Sequence, residues 1–164
     1  MSEMRSLNGS SGPQSQFSGK RSFSSALEID SWMPSRPEAI SPLLNRLMLL
    51  IEGSQCVPGE EFAVELALRE ALRNAVVHGN QERPKAKVHI RCRCWPGKAI
   101  SIVVTAQGKE FDFGNSRDNG LLADPISENQ RGIQLIKAYM DDVYFERDGS
   151  EVHMCKRSRI TARS

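Results

Sequence analysis

Glu70, Asn74 and His78 follow one another at four-residue steps within EALRNAVVHGN, Glu70–Asn80. Four residues is about one helical turn, so on a helix an acid, an amide and an imidazole would project the same way. Carboxylate and imidazole transfer protons, and an amide offers both a donor and an acceptor. A helical wheel at roughly 100° per residue, with Phe62 at zero, separates three faces. Glu65, Arg69 and Arg73 fall together as a solvent face, and Val64, Leu68, Leu72 and Ala75 as a core face. Glu70, Asn74 and His78 lie on neither, because they interleave with Ala63, Ala67 and Ala71. Alanines leave space beside a helix. A wet pocket there would spare the acid the several kcal/mol that burial without a partner costs. The same spacing also suits a solvated polar face.

Other residues with chemical potential are weaker. Asp141-Asp142 resembles a carboxylate pair, but it also suits the end of a helix and the start of a strand. Lys85, Lys87, Arg91 and Arg93 form a basic patch without interleaved aromatic residues, which fits a solvated sheet face better than a nucleic-acid surface. Trp95, beside Pro96, suits packing at a hairpin end. No Walker-type phosphate loop, HExxH motif or Ser-His-Asp order is visible.

The elements that must position these residues can be read in order. The first twenty residues are rich in Ser and Gly and read as a flexible tail. SFSSALEID suggests a first strand with Phe23, Ala26 and Ile29 inward. SRPEAISPLLNRLMLLIEG reads as a helix: Ser35 suits its cap, Pro37 its first turn and Gly53 its end, although Pro42 would delay the regular part. PGEEFAVELALREALRNAVVHGN is the strongest helix, with Glu60 and Glu61 at its positive end and Gly79 at its stop. KAKVHIRCRCW alternates, placing Val88, Ile90, Cys92 and Cys94 on one side of a strand. Pro96-Gly97 turns the chain into KAISIVVTA. A long segment without a sustained period follows. Then come a helix carrying Ile133, Ile136 and Met140, and a hairpin around Asp148-Gly149. This order predicts an α+β fold: a two-layer α/β sandwich with a mixed, mostly antiparallel sheet and helices on one face.

Bulk properties set limits. The chain has 164 residues, suited to one domain, with 22 Lys plus Arg against 20 Asp plus Glu. This balance argues against nucleic acid or an anionic membrane as a partner. There is no long apolar run, so neither a membrane span nor a secretory signal is expected. The 4 cysteines show no paired CxxC spacing. Cys56, Cys92, Cys94 and Cys155 are therefore expected to be free, reduced and largely in the core, which implies a cytoplasmic protein.

The stretch ELALREALRNAVVHGN resembles the first nucleotide-binding motif of the GHKL ATPase superfamily: Glu, three residues, Asn-Ala, two residues, His-Gly. RGIQLIKAYMDDV and the hairpin after it are similar to the C-terminal part of the anti-sigma-factor serine kinases of that superfamily. The resemblance spans Ser22 to Lys156 and assigns residues 21–157 to a histidine-kinase-like ATPase domain, followed by a short basic tail, residues 158–164. It implies ATP and Mg²⁺ as cofactors, with Asn74 on the metal, Glu70 as general base, and His78 and Gly79 at the end of the pocket. Phe113–Arg131 would form a lid. It further implies a bacterial sigma factor and a STAS-type anti-anti-sigma protein as partners, and a homodimer.

Two motifs depart from the family. Its second is Asp-x-Gly-x-Gly, whose Asp reads the adenine amino group. In TAQGKEFDF, alignment on Gly108 places Ala106 at the Asp and Glu110 at the second Gly. Alanine cannot accept that hydrogen bond, a loss of about 1–3 kcal/mol. The third motif, Gly-Gly-Arg-Gly, becomes NQRG, keeping only Arg131 and Gly132. The reading is thus an ATP-dependent serine-protein kinase of the anti-sigma-factor type. The alternative is a protein-interaction module of the same fold that binds nucleotide weakly or not at all.

Overall fold

The computed structural model describes residues 26–80, 83, 85–107 and 128–160, without the side chains of residues 128 and 129. Its strands are β1 (Leu27–Pro34), β2 (Lys87–Trp95), β3 (Ala99–Ala106), β4 (Asp142–Glu146) and β5 (Glu151–Arg157); its helices are α1 (Ile40–Ser54), α2 (Glu61–Asn74) and α3 (Glu128–Tyr139). The strands form one sheet in the order β1-β2-β3-β5-β4. All four pairings are antiparallel, so the mixed sheet expected from the sequence is antiparallel throughout among the described strands. The N-terminal tail, Phe23, Gly108, Glu110 and nearly all of the expected lid lie outside the described residues.

Alternation decides which side of the sheet the helices cover. Val88, Ile90, Cys92 and Cys94 of β2 are buried, as are Ile100, Ile102, Val104 and Ala106 of β3. They pack with Leu44, Leu47 and Ile51 of α1 and Leu68 and Leu72 of α2, all at most 2% exposed. Burying each such side chain contributes about 1.5–3 kcal/mol. The opposite face of β2 and β3 carries Lys87, His89, Arg91 and Arg93 beside Ser101, Val103 and Thr105.

Several expected boundaries move. β1 starts at Leu27 and its buried residue is Met33, while Ile29 is only half-buried. Ser35 does not cap α1. Its N–H donates to Ala86 O at 3.0 Å, continuing the contact of this edge with the start of β2, and its hydroxyl is buried without a partner among the described residues. A 3₁₀ turn, Pro37–Ala39, then separates it from α1. Pro42 sits in the first turn of α1, where no intrahelical N–H bond is lost. The left-handed residue at the end of α1 is Gln55, with φ 52°, rather than Gly53. The hairpin turn around Asp148-Gly149 is present, with Arg147, Asp148 and Gly149 all at positive φ.

The cysteines correct an expectation. Cys56 and Cys94 form a disulfide, with Cα atoms 5.5 Å apart, and only Cys92 and Cys155 are free. The loop after α1 folds onto the end of β2, where Gly97 N–H donates to Gln55 O at 2.7 Å. That brings together two cysteines 38 residues apart in sequence. Cysteine usage therefore no longer argues for a reducing compartment. No helix among the described residues is long and apolar enough to cross a membrane.

Candidate functional site

The polar residues of α2 meet the first turns of α3. Ala67 and Ala71, at 0% and 2% exposure, let the neighbouring layer approach this face. α3 begins before Gly132, so the NQRG segment lies in the helix, not in a loop ahead of it. Gly132 is buried against the pair Glu70 and Asn74. A Cβ at this position would lie 2.9 Å from Glu70 Oε2 and 3.2 and 3.3 Å from Asn74 Nδ2 and Oδ1. A side chain there would occupy the space in front of the carboxylate and the amide, and only glycine leaves it open.

Asn74 is 4% exposed, and its Nδ2 is buried without a hydrogen-bond partner among the described residues. Leaving such a donor unpaired costs about 1–3 kcal/mol, so the position asks for an acceptor such as a phosphate oxygen. Glu70 is half-buried one turn away. A carboxylate and an amide oxygen are hard donors of the kind Mg²⁺ accepts, with waters completing its shell. This end of the site fits a hydrated metal and its phosphates.

Past Asn74 the helix changes. Ala75–Gly79 form a π-helical turn, closed by Asn80 N–H donating to Ala75 O at 2.9 Å. π-turns recur at functional sites. Here the regular four-residue step ends at Asn74, so the wheel that aligned His78 no longer applies to it. His78 is half-buried, and Gly79 is buried inside the turn without the positive φ of a left-handed stop. Buried Asn80 anchors the turn by donating from Nδ2 to Lys87 O at 3.0 Å. Arg131 is exposed.

The other end is apolar. Ala106 is 4% exposed, and its N–H donates to Ser150 O at 2.8 Å. Beside it Ala71, Ala75, Val104, Gly149, Ser150 and Val152 line a notch of about 10 Å³, room for one water. Among the described residues the notch has no carboxylate, and its one polar side chain, Ser150, donates its hydroxyl to Arg147 O at 2.8 Å. The chain's residues thus fit the metal and phosphate end of a nucleotide better than its base end.

Two polar features escaped the sequence reading. Lys156 is 4% exposed on the helix side of β5. Its ammonium donates to Tyr139 O at 2.8 Å and lies 3.4 Å from Glu60 Oε2 and 3.8 Å from Asp141 Oδ1. It joins the last turn of α3 to the start of α2. The alternation Val152, Met154, Lys156 was its signal. Glu151, 4% exposed on the open face, receives a hydrogen bond from Thr105 Oγ1 at 2.8 Å and contacts His153 at 2.7 Å. Burial pushes its carboxyl up, but the bonds from Thr105 and His153 and the charges of His153 and Arg147 outweigh burial and hold it below its ordinary value.

Comparison with known proteins agrees with the fold. The model of the histidine kinase-like ATPase domain family matches residues 33–156. The serine-protein kinase RsbW of Bacillus subtilis (strain 168) is 25% identical over 121 residues, covering 70% of this chain and 75% of that protein. The RsbW of Bacillus velezensis (strain DSM 23117 / BGSC 10A6 / LMG 26770 / FZB42) is 24% identical over the same length and coverage.

Proposed function

The chain belongs to the family of histidine kinase-like ATPase domains, and we propose that within it the protein is a serine-protein kinase of the anti-sigma-factor type. The observation that carries this reading is the unpartnered, buried amide of Asn74, set between Glu70 and the bare backbone of Gly132. On this reading the Asn74 amide would hold Mg²⁺ through Oδ1 and donate from Nδ2 to a phosphate oxygen, and Gly132 keeps the approach clear for phosphate. Glu70 accepts the proton of a serine hydroxyl presented by a STAS-type partner. Bound Mg-ATP supplies the phosphoryl group and the charge neutralisation that its transfer needs. His78, Gly79, Gly108 and Arg131 are the further candidates for contact with the nucleotide. Similarity to proteins named serine-protein kinase supports the reaction class. On this reading a sigma factor is the second partner and the compartment is the cytoplasm, where the Cys56–Cys94 disulfide of this structure would be exposed to reduction.

A second reading has its own observation. Ala106 stands where the family carries its adenine-reading Asp, and the notch beside it has room for one water. On that reading the fold is kept as a stoichiometric protein binder. Incubation with γ-labelled ATP and a STAS-domain substrate separates the two. The kinase reading expects label on a serine of the substrate, and loss of at least about a hundredfold in rate for Glu70→Gln. Absence of label with wild-type protein that still captures the partner supports the binder.

A further inference from the structure

On the face of the sheet that the helices leave open, Glu146, Glu151 and His153 each bring one donor atom to the same spot. The three atoms lie within 4.8 Å of one another. The register explains this. Glu146 is directly opposite Glu151, and His153 follows Glu151 by two residues on the same face. Two carboxylates facing each other across antiparallel strands repel, so this pairing is unfavourable unless positive charge lies between them. Arg147 and Arg91 approach Glu151 at 3.7 and 3.8 Å, and Thr105 donates to it at 2.8 Å, but all three address Oε2. Oε1 faces His153 Nε2 at 2.7 Å, and the same nitrogen is 3.3 Å from Glu146 Oε2.

We propose that Glu146, Glu151 and His153 bind a divalent transition-metal ion of the zinc or cobalt class, bridging β4 and β5. One imidazole and two carboxylates suit such ions. Tetrahedral zinc with bonds of about 2.0–2.1 Å sets its ligands about 3.3–3.4 Å apart. The 3.3 Å between His153 and Glu146 already meets this. The 2.7 Å between His153 and Glu151 must open by about 0.6 Å, as happens when the shared proton leaves and a metal enters. Outer contacts that orient metal ligands are present. Thr105 holds the Glu151 carboxylate, and the Tyr144 ring stacks on His153 at 4.5 Å between centroids. The Glu146 side chain is 54% exposed, and His153 lines an open groove of about 300 Å³, so an ion and its remaining waters can enter from solvent. The hairpin that the ion would clamp ends in Gly149 and Ser150, which border the notch beside Ala106.

The test is zinc calorimetry on the full chain, stripped with chelator and dialysed, together with the visible spectrum of added cobalt(II). A saturable one-site isotherm and a tetrahedral cobalt spectrum are expected. His153→Ala and the exposed-site variant Glu146→Gln should each weaken binding by about tenfold or more. Asn74→Ala should leave it unchanged, which separates this site from the Mg²⁺ position on α2. No saturable binding up to millimolar zinc would overturn the proposal. So would folded His153→Ala and Glu146→Gln proteins that bind as tightly as wild type.

Discussion

At Gly132 a single absent methyl group decides whether the Glu70–Asn74 pair is accessible. In Gly132→Ala the new Cβ would meet Glu70 Oε2 at 2.9 Å. The carboxylate is the end of a flexible side chain, so it can swing aside. The cost in stability should be about 1 kcal/mol, while Mg-nucleotide affinity falls by at least about tenfold. Calorimetric binding alongside thermal unfolding checks the split, and equal losses in both would assign Gly132 to packing alone. Cysteine chemistry gives a second prediction at this scale. Burial raises the Cys92 thiol to about 12, so alkylation at mildly alkaline pH should leave it unmodified in the folded protein. Air-oxidised, unfolded protein should show two titratable thiols, Cys92 and Cys155. Four would contradict the Cys56–Cys94 pairing. Closing that 38-residue separation contributes about 3–4 kcal/mol in a chain-entropy account.

The shared apolar core holds the elements to one another, and one buried charge adds to it. Lys156 ties α3 to α2 through Tyr139 O and Glu60. Lys156→Met removes the donor to Tyr139 O and one of two cations beside Glu60, which keeps Arg159 Nε at 3.3 Å, so a loss of about 1–3 kcal/mol is expected, read as a lower Tm. The hairpin of β4 and β5 predicts a pH dependence. Glu151 has a folded pKa below its unfolded value. Its contribution is present in full above the unfolded value and is lost as pH falls through the folded one. In chelator-containing buffer, Tm should drop on acidification below the ordinary carboxylate range, and more shallowly in Glu151→Gln. Legibility differed by element for physical reasons. β2 and β3 were readable because one face is buried and the other is not, so alternation carries the register. α2 was readable to Asn74. The π-turn beyond it was not, because its bond from Asn80 depends on Asn80 being pinned to Lys87 O. Ser35 looked like a cap from its neighbours, yet its backbone was already committed to Ala86. The disulfide was hidden because it needs the loop after α1 to fold onto β2.

For the whole molecule, the sheet divides the labour. Its covered face carries the core and the α2–α3 site. Its open face carries paired charges, among them Asp30 with His89 at 2.8 Å and Glu28 with Arg93 at 2.8 Å. The nucleotide account concerns only the covered face, and the metal proposal only the open one, so neither depends on the other. The candidate pair Glu70 and Asn74 was legible from spacing. The closeness of Gly132 was not, because it depends on how α3 docks. The central claim is that Asn74 holds a Mg-nucleotide on the covered face. Titration calorimetry with Mg-ATP on the full chain tests it most directly. The account predicts a saturable one-site isotherm that Asn74→Ala abolishes while the variant keeps its thermal transition. An isotherm without saturable heat at millimolar Mg-ATP, or one that Asn74→Ala leaves unchanged, would contradict it.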